Sequence, residues 1–421
     1  MEATTRSGHR AVGAHVFAGG FTLGVKEICD VACQLEVHDF GRHTCEEVVG
    51  VPFCNYDSFE KWPDMRGEAA WLFANPRCTG FSCITAGYDD SLHGPWAKQT
   101  IDIHDVCQYG VRHGFEAIIW ESVQQAYSVG RPLLDHLRDE LFVPADYRIA
   151  HLFLNAASFG NAQARKRYFF VAYKRDRQFN IAPPQIGANQ PTCYDAIGRL
   201  RDRECWEGDV NGRFLDYDAN TYTSLTRDER AILPHLPTGW NANDVGAYMP
   251  HLLPEKMRWQ WDNRMSEAPF SCMHVVTRLG WLRPFPTIHS SACRFIHPEF
   301  DRPCTVGEIA SAMGWGDLIP RGPRPVAQLA KGVVPAVGRW LAEQVVAYLD
   351  DEWGDQDWES SYDANRGCWV GEESRGAVEK VFDMTQYVGR HLDPTDYPVP
   401  AVARPYEWQA HYDAKTLAKR R

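Results

Sequence analysis

The 421-residue chain lacks any apolar run near the roughly 18 residues that a membrane-crossing helix needs, so no membrane partner is expected. Its opening residues, MEATTRSGHRAVGAHVF, hold no apolar core of a secretory signal. None of the thirteen cysteines stands in C-x-x-C spacing, and their number is odd, so neither a disulfide framework nor a paired-cysteine metal site is indicated. Reduced thiols in a cytoplasm are expected, most of them small buried hydrophobes. A basic surplus is also missing. Lys and Arg total 44 against 55 Asp and Glu, a net charge of -11 that argues against indiscriminate nucleic-acid binding but leaves room for a local basic groove. No internal repeat is apparent. What is present, 44% hydrophobic and 24% charged residues, describes a soluble globular chain of about two or three domains.

The first part alternates two kinds of segment. AHVFAGG, ACQLEV, AAWLFAN, FEAIIWE, RIAHLFLNA and RYFFVAY read as strands, and FTLGVKEIC, FGRHTCEEVV and IDIHDVCQYGVRHG as helices. That rhythm predicts an α/β fold with a mostly parallel sheet and helices on both faces. Ligands of such sheets bind at the carboxyl ends of the strands. From Gln178 to Val276 the rhythm breaks into Pro-, Asn-, Gly- and Trp-rich sequence, an irregular second domain. Regular character returns with TVGEIASAMGW and VGRWLAEQVVAYLDD, followed by a polar, acidic stretch from Asp350 and a basic end, AKRR.

The polar residues that follow the strands are the chemical candidates. Phe17, Ala18, Gly19, Gly20 and Gly24 form a Gly-rich strand-to-helix turn, which suits a cofactor approaching backbone N–H groups and equally suits an ordinary tight turn. Glu36 ends the next strand, a place for binding ribose hydroxyls or for a solvated acid. Cys78, beside Arg77 in NPRCTGFS, reads as a nucleophile with a lowered pKa or as a structural thiol. Glu121, after IIW, reads as a carboxyl kept protonated by burial or as a solvated strand-end acid. Gln163, Arg165 and Arg167 alternate before a strand, which puts both guanidinium groups on one face of extended chain.

In this order the motifs resemble those of the DNA cytosine-5 methyltransferases. Phe17–Gly24 is similar to the family's cofactor motif, about two residues shorter. Pro76-Arg77-Cys78-Thr79-Gly80-Phe81-Ser82 resembles the catalytic Pro-Pro-Cys-Gln loop, Glu121-Ser122-Val123 the Glu-Asn-Val motif, and Gln163–Arg167 the Gln-x-Arg-x-Arg motif. RPFPTIHSSACRFIHPEFDRPCTVGEIASAMGW and QLAKGVVPAVGRWLAEQV resemble the family's closing segments. The resemblance implies a Rossmann-like class I methyltransferase core at 11–177, a smaller irregular target-recognition domain at 178–276, a return segment at 277–350 and an extension at 351–421. It implies a monomer acting on double-stranded DNA in a bacterial or phage-infected cell, with the target cytosine flipped from the helix. Cys78 would attack cytosine C6, Glu121 would hydrogen-bond N3 and N4, Arg165 would steady the ring at O2 and Arg167 would support the loop. Phe17, Ala18, Gly19, Gly20, Gly24, Glu36, Asp57, Pro76, Lys331 and Val333 would hold an S-adenosylmethionine-type donor, with no metal.

The departures from the pattern are Arg77 for proline, Thr79 for glutamine, Ser122 for asparagine and Lys331 for the asparagine of the last motif. By the resemblance, Lys331 lies beside the donor's sulfonium, where two like charges a few Å apart repel by several kcal/mol on the order of 332/(εr) at an effective ε of ~20. The lysine makes sense if the donor carries an anion next to the transferred carbon, as carboxy-S-adenosylmethionine does, the product then being 5-carboxymethylcytosine. Ordinary methyl transfer, with Lys331 reaching solvent, a protein acid or a phosphate, is the alternative. An RNA substrate and a catalytically inactive DNA-binding relative are the competing classes.

Overall fold

The computed structural model describes residues 7–81, 93–177, 179–182, 184, 190–208, 210, 217–258, 276–290, 294–352 and 379–385. Ser82, most of KMRWQWDNRM, the acidic stretch from 353 to 378 and the basic AKRR end lie outside the described residues.

The core is one eight-stranded sheet. In chain order its strands are β1 (Arg10–Ala14), β2 (Asp30–Glu36), β3 (Phe53–Asn55), β4 (Trp71–Ala74), β5 (Ala117–Ser122), β6 (Tyr147–Asn155), β7 (Lys166–Lys174) and β8 (Glu379–Asp383). In space they run β8-β6-β7-β5-β4-β1-β2-β3. All neighbours are parallel except β7, which is antiparallel to both β5 and β6. The central strands WLFA and AIIWES are buried at every residue, as continuous apolar runs in a sheet covered on both faces must be. Alternate residues feed two cores. Trp71, Phe73 and Ile119 face helices α1 (Gly20–Val25) and α6 (Pro335–Leu349). Leu72, Ile118 and Trp120 face α2 (Ile101–His113) and α3 (Arg131–Leu137).

Register settles where the chemistry falls. Leu35, Ala14, Ala74 and Trp120 lie side by side across β2, β1, β4 and β5. The next residue of each strand is therefore Glu36, His15, Asn75 and Glu121, a row of polar side chains along the carboxyl edge. The return segment supplies α4 (Val306–Ala312), α5 (Pro325–Lys331) and α6. Pro325 and Pro335 occupy first-turn positions of α5 and α6, where a missing N–H costs nothing. Lys331 is thus the last residue of a short helix.

Three differences from the sequence reading have local causes. The first strand is Arg10–Ala14 rather than AHVFAGG, because His15, Phe17 and Gly19 all take positive φ (53°, 57° and 89°) and turn the chain out of the sheet. The second region has its own small core, Leu225, Ile232, Leu236, Trp240, Val245 and Val276, but Ile296 also belongs to it, so it reaches past Val276. Arg278, fully buried, ties that core by donating to the carbonyls of Leu233, Leu236, His297 and Phe300 at 2.7–3.2 Å and pairing with Asp301. Finally, β8 comes from the C-terminal extension. It buries Phe382 and Met384 and carries Glu379 to Arg131 (2.8 Å) and Arg138 (3.2 Å).

Candidate active site

The base-facing half sits beyond β4 and β5. Asn75 and Pro76 are buried where β4 ends, and the chain then rises to a half-buried Cys78. Arg77 grips the buried Asp102 of α2 with both ends of its fork (2.5 and 2.7 Å). Burial alone would raise the Asp102 carboxyl, yet Arg77 holds it below its usual range. The arginine that departs from the family pattern is a staple between the Cys78 loop and α2, a strong bidentate geometry.

Glu121 is buried, with Asn75 Nδ2 donating to one carboxyl oxygen at 2.7 Å and Arg167 Nε paired to the other at 2.8 Å. Burial pushes its pKa up, and Arg167 and Arg165 pull against that. The Cys78 thiol is likewise pushed up, first by burial and then by Glu121, with the two arginines opposing. The thiol form is therefore the favoured one at rest. A pocket of about 220 Å³ runs from Glu121, Arg165 and Arg167 to Val333, Val334 and Val337.

The two arginines do not share the work as the sequence suggested. Arg165 is buried and spends its terminal nitrogens on backbone carbonyls: Ile288 at 2.9 Å, Ala330 at 2.8 Å and Gly332 at 3.1 Å. It holds the residues on either side of Lys331 and lines the same pocket as Glu121. Arg167 is the guanidinium beside Glu121. Gln163, also buried, fixes the 288 backbone by accepting the Ile288 N–H at 2.8 Å.

The donor-facing half lies beyond β1 and β2. Glu36 is fully buried and accepts the Phe17 N–H at 2.8 Å. Burial pushes its pKa up to about 8. The nearest side chain of opposite potential is His15, 4.0 Å away, and burial pushes that imidazole down to about 4, so it stays neutral. Gly19 turns the chain, while Ala18 and Phe17 are buried over Gln34, whose amide donates to the Phe17 carbonyl at 3.2 Å. Gly20 and Gly24 serve a different purpose from the one expected. A Cβ on Gly20 would come within 2.6 Å of the Val333 carbonyl, and one on Gly24 within 2.0 Å of the Pro335 carbonyl. They let α1 lie directly against the start of α6. Asp57 is exposed and paired to Lys61 at 2.5 Å.

Lys331 is solvent-exposed and, among the described residues, makes no ion pair with a carboxylate. Its ammonium stands 4.5 Å from the Phe40 ring centroid and 5.1 Å from that of Phe17. Partial desolvation of the ammonium between the rings pushes its pKa down, with Cys78 and Glu36 near enough to oppose and Arg77 and Arg324 to reinforce. Asn75, Asp102 and Phe40 are site residues the sequence reading passed over. Asn75 alone had a local signal, standing next to Pro76 where β4 ends. Among the described residues no cluster of His, Cys, Asp or Glu fits a metal, and no helix is long and apolar enough to cross a membrane.

Residues 110–314 match the C-5 cytosine-specific DNA methylase family, a span that includes Glu121, Arg165 and Arg167 and stops short of Cys78 and Lys331. The type II methyltransferase M.DdeI of Desulfomicrobium norvegicum is 27% identical over 243 residues, 50% of this chain and 57% of that protein. The chain thus spans a little over half the length of this curated relative. A crystal structure of an E. coli prophage-encoded protein, described as a DNA modification methyltransferase, superposes with a TM-score of 0.54 at 18% identity, covering 81% of this chain and 99% of that one. That likeness is one of fold: a class I methyltransferase core.

Proposed function

We propose that this chain is a C-5 cytosine-specific DNA methylase relative that alkylates C5 of a flipped cytosine in double-stranded DNA, and that the group transferred is carboxymethyl. The donor would be carboxy-S-adenosylmethionine and the product 5-carboxymethylcytosine.

The donor-side residues suit such a ligand. Glu36 is a buried carboxyl whose contacts are backbone N–H groups and a neutral imidazole, a setting ready to accept hydroxyl hydrogens. Phe17, Ala18 and Gly19 form the turn beside it, and Val333 lines the pocket that holds Glu121. When bound, the donor supplies an electrophilic carbon on a sulfonium that departs as a neutral thioether. The chain's own groups do the rest. Cys78 Sγ, its proton passing to solvent, forms a bond to C6, and the electron pair of the C5–C6 bond moves toward C5. Glu121, whose burial favours the protonated form, donates to the ring at N3 and relieves the charge that attack creates there. Arg167, rather than Arg165, is the cation next to that carboxyl and serves the ring's carbonyl side. After alkylation the C5 proton leaves to a base, the electron pair reforms C5=C6, and Sγ departs.

The observation that carries the carboxymethyl reading is Lys331: an ammonium near Cys78 and Glu36 that has aromatic faces but, among the described residues, no carboxylate against it. A fixed cation there opposes a plain sulfonium and favours a donor with a carboxylate on its transferred carbon. Ordinary methyl transfer from S-adenosylmethionine is the second reading. It is favoured by the exposure of Lys331, which gives the lysine a resting place without any anion.

The test is to incubate the protein with DNA and each donor and to analyse the nucleosides by mass spectrometry. 5-Carboxymethylcytosine is expected, and Lys331→Asn should move the product toward 5-methylcytosine. Only 5-methylcytosine from the unaltered protein, with the carboxylated donor inert, would sink the carboxymethyl reading and leave the methyl one.

A further inference from the structure

Lys331 is held at both ends. Its backbone is pinned by Arg165, which donates to the carbonyl before it and the carbonyl after it, Ala330 and Gly332. Its tip is held by two rings on other parts of the chain. Phe17 and Phe40 stand 6.2 Å apart, edge to face at 76°, and the ammonium lies over both. Ring faces carry negative quadrupole potential, and a partly desolvated ammonium is attracted to them.

The rings are themselves fixed by the local chain. Phe17 sits at φ 57°, an uncommon conformation for a bulky residue, and its N–H is bound by Glu36. Phe40 precedes Gly41, whose φ is 93° and whose Cβ, if present, would lie 2.6 Å from the Ala18 nitrogen and the Phe17 carbonyl carbon. Only glycine lets the 37–41 loop rest on the Phe17–Ala18 backbone. The same loop is anchored by Asp39, which accepts from Arg42 at 2.7 and 2.9 Å and from Asn55 at 2.9 Å.

We propose that Phe40 is a specificity-determining residue for the donor, acting as a positioning residue through Lys331. The Phe17–Phe40 pair keeps the ammonium in one place at the transfer end of the donor site. A carboxylate on the donor then meets a cation whose rotamer freedom is already spent and whose water is partly removed. A donor without that carboxylate meets the same held charge as repulsion. Phe40 has no motif that marks it in the sequence and touches no reacting atom. The inference rests on the carboxymethyl reading.

The experiment uses the full chain, its Phe40→Leu and Phe40→Tyr variants, and Lys331→Asn. Equilibrium binding of carboxy-S-adenosylmethionine and S-adenosylmethionine is measured by calorimetry without DNA. In parallel, lysines labelled with ¹³C at Cε are observed by NMR, with Lys331→Asn assigning the Lys331 signal. The unaltered chain should show a ring-current-shifted Lys331 signal and a preference for the carboxylated donor. Phe40→Leu, which keeps apolar bulk and removes the ring, should lose the shifted signal and about tenfold of the preference. Phe40→Tyr should keep both. A melting curve checks that each variant is folded. If Lys331→Asn abolishes the preference and Phe40→Leu leaves it intact, the clamp is overturned while the carboxymethyl reading stands. If the unaltered chain shows no preference and Lys331→Asn changes nothing, the donor reading fails and takes the clamp with it.

Discussion

The two halves of the carboxyl edge handle charge in opposite ways. On the base side, Glu121 is already paired with Arg167 and bonded by Asn75, and Arg77 is locked to Asp102. On the donor side, Glu36 and Lys331 are close enough to feel each other, yet neither has an oppositely charged partner within ion-pair distance among the described residues. The base half is assembled before any ligand arrives. The donor half keeps an acid and a base in reserve, so its electrostatics are completed by what binds. Chemistry that must work on any cytosine suits the first arrangement, and choice between donors suits the second.

The largest blow to this contrast would come from the base side. Cys78→Ala should abolish both product and the exchange of the cytosine C5 hydrogen with deuterated water, a reaction that needs the C6 adduct but no donor. Glu121→Gln should slow that exchange by roughly 10²–10³-fold. It should also move the pH midpoint of Cys78 alkylation by iodoacetamide downward, because an ionised Glu121 is what disfavours the thiolate after burial. Arg167→Ala should move the same midpoint upward, since Arg167 favours the thiolate. A midpoint that ignores both changes would mean the base side is not electrostatically coupled.

Gly24→Ala comes next, with an expected loss of about 3 kcal/mol in unfolding free energy from overpacking α1 on α6. Chemical denaturation measures it. A fully stable variant would mean the two helices separate easily, and with them the donor side from its lysine. Glu36→Gln should weaken donor binding about tenfold while leaving donor-free C5 hydrogen exchange in place. The smallest effect belongs to Asp57→Asn. An exposed acid paired with Lys61 should leave donor affinity within about twofold, as surface pairs generally do. A larger loss in calorimetry would return Asp57 to the site.

Much of this arrangement was legible in the sequence, for identifiable reasons. WLFA and AIIWE are continuous apolar runs, so the central strands and the residues that follow them, Asn75 to Cys78 and Glu121, could be located by pattern alone. The long second helix of the return segment was equally plain. What pattern could not supply was partnership. Nothing in the spacing of Arg165 and Arg167 says that one would bind three carbonyls and the other a carboxylate, because those partners come from residues more than 40 positions away. The glycines of the first turn looked like a ligand cradle because their packing partner, Pro335, lies more than 300 residues downstream. β8 was invisible because a five-residue strand with no alternation of polarity, EKVFD, carries no signal apart from the edge it joins.

That last strand has a consequence for how the protein is made. β6 is covered on one side by β7, its neighbour in sequence, and on the other by a segment that leaves the ribosome more than 200 residues later. During that interval the growing chain displays a row of unsatisfied β6 backbone groups, an invitation to pair with another nascent copy. Synthesis halted near residue 352 would leave every residue of the proposed chemistry in the product and the sheet open at its edge. Yield of monomeric protein, rather than rate of catalysis, is where the loss of β8 would be felt first.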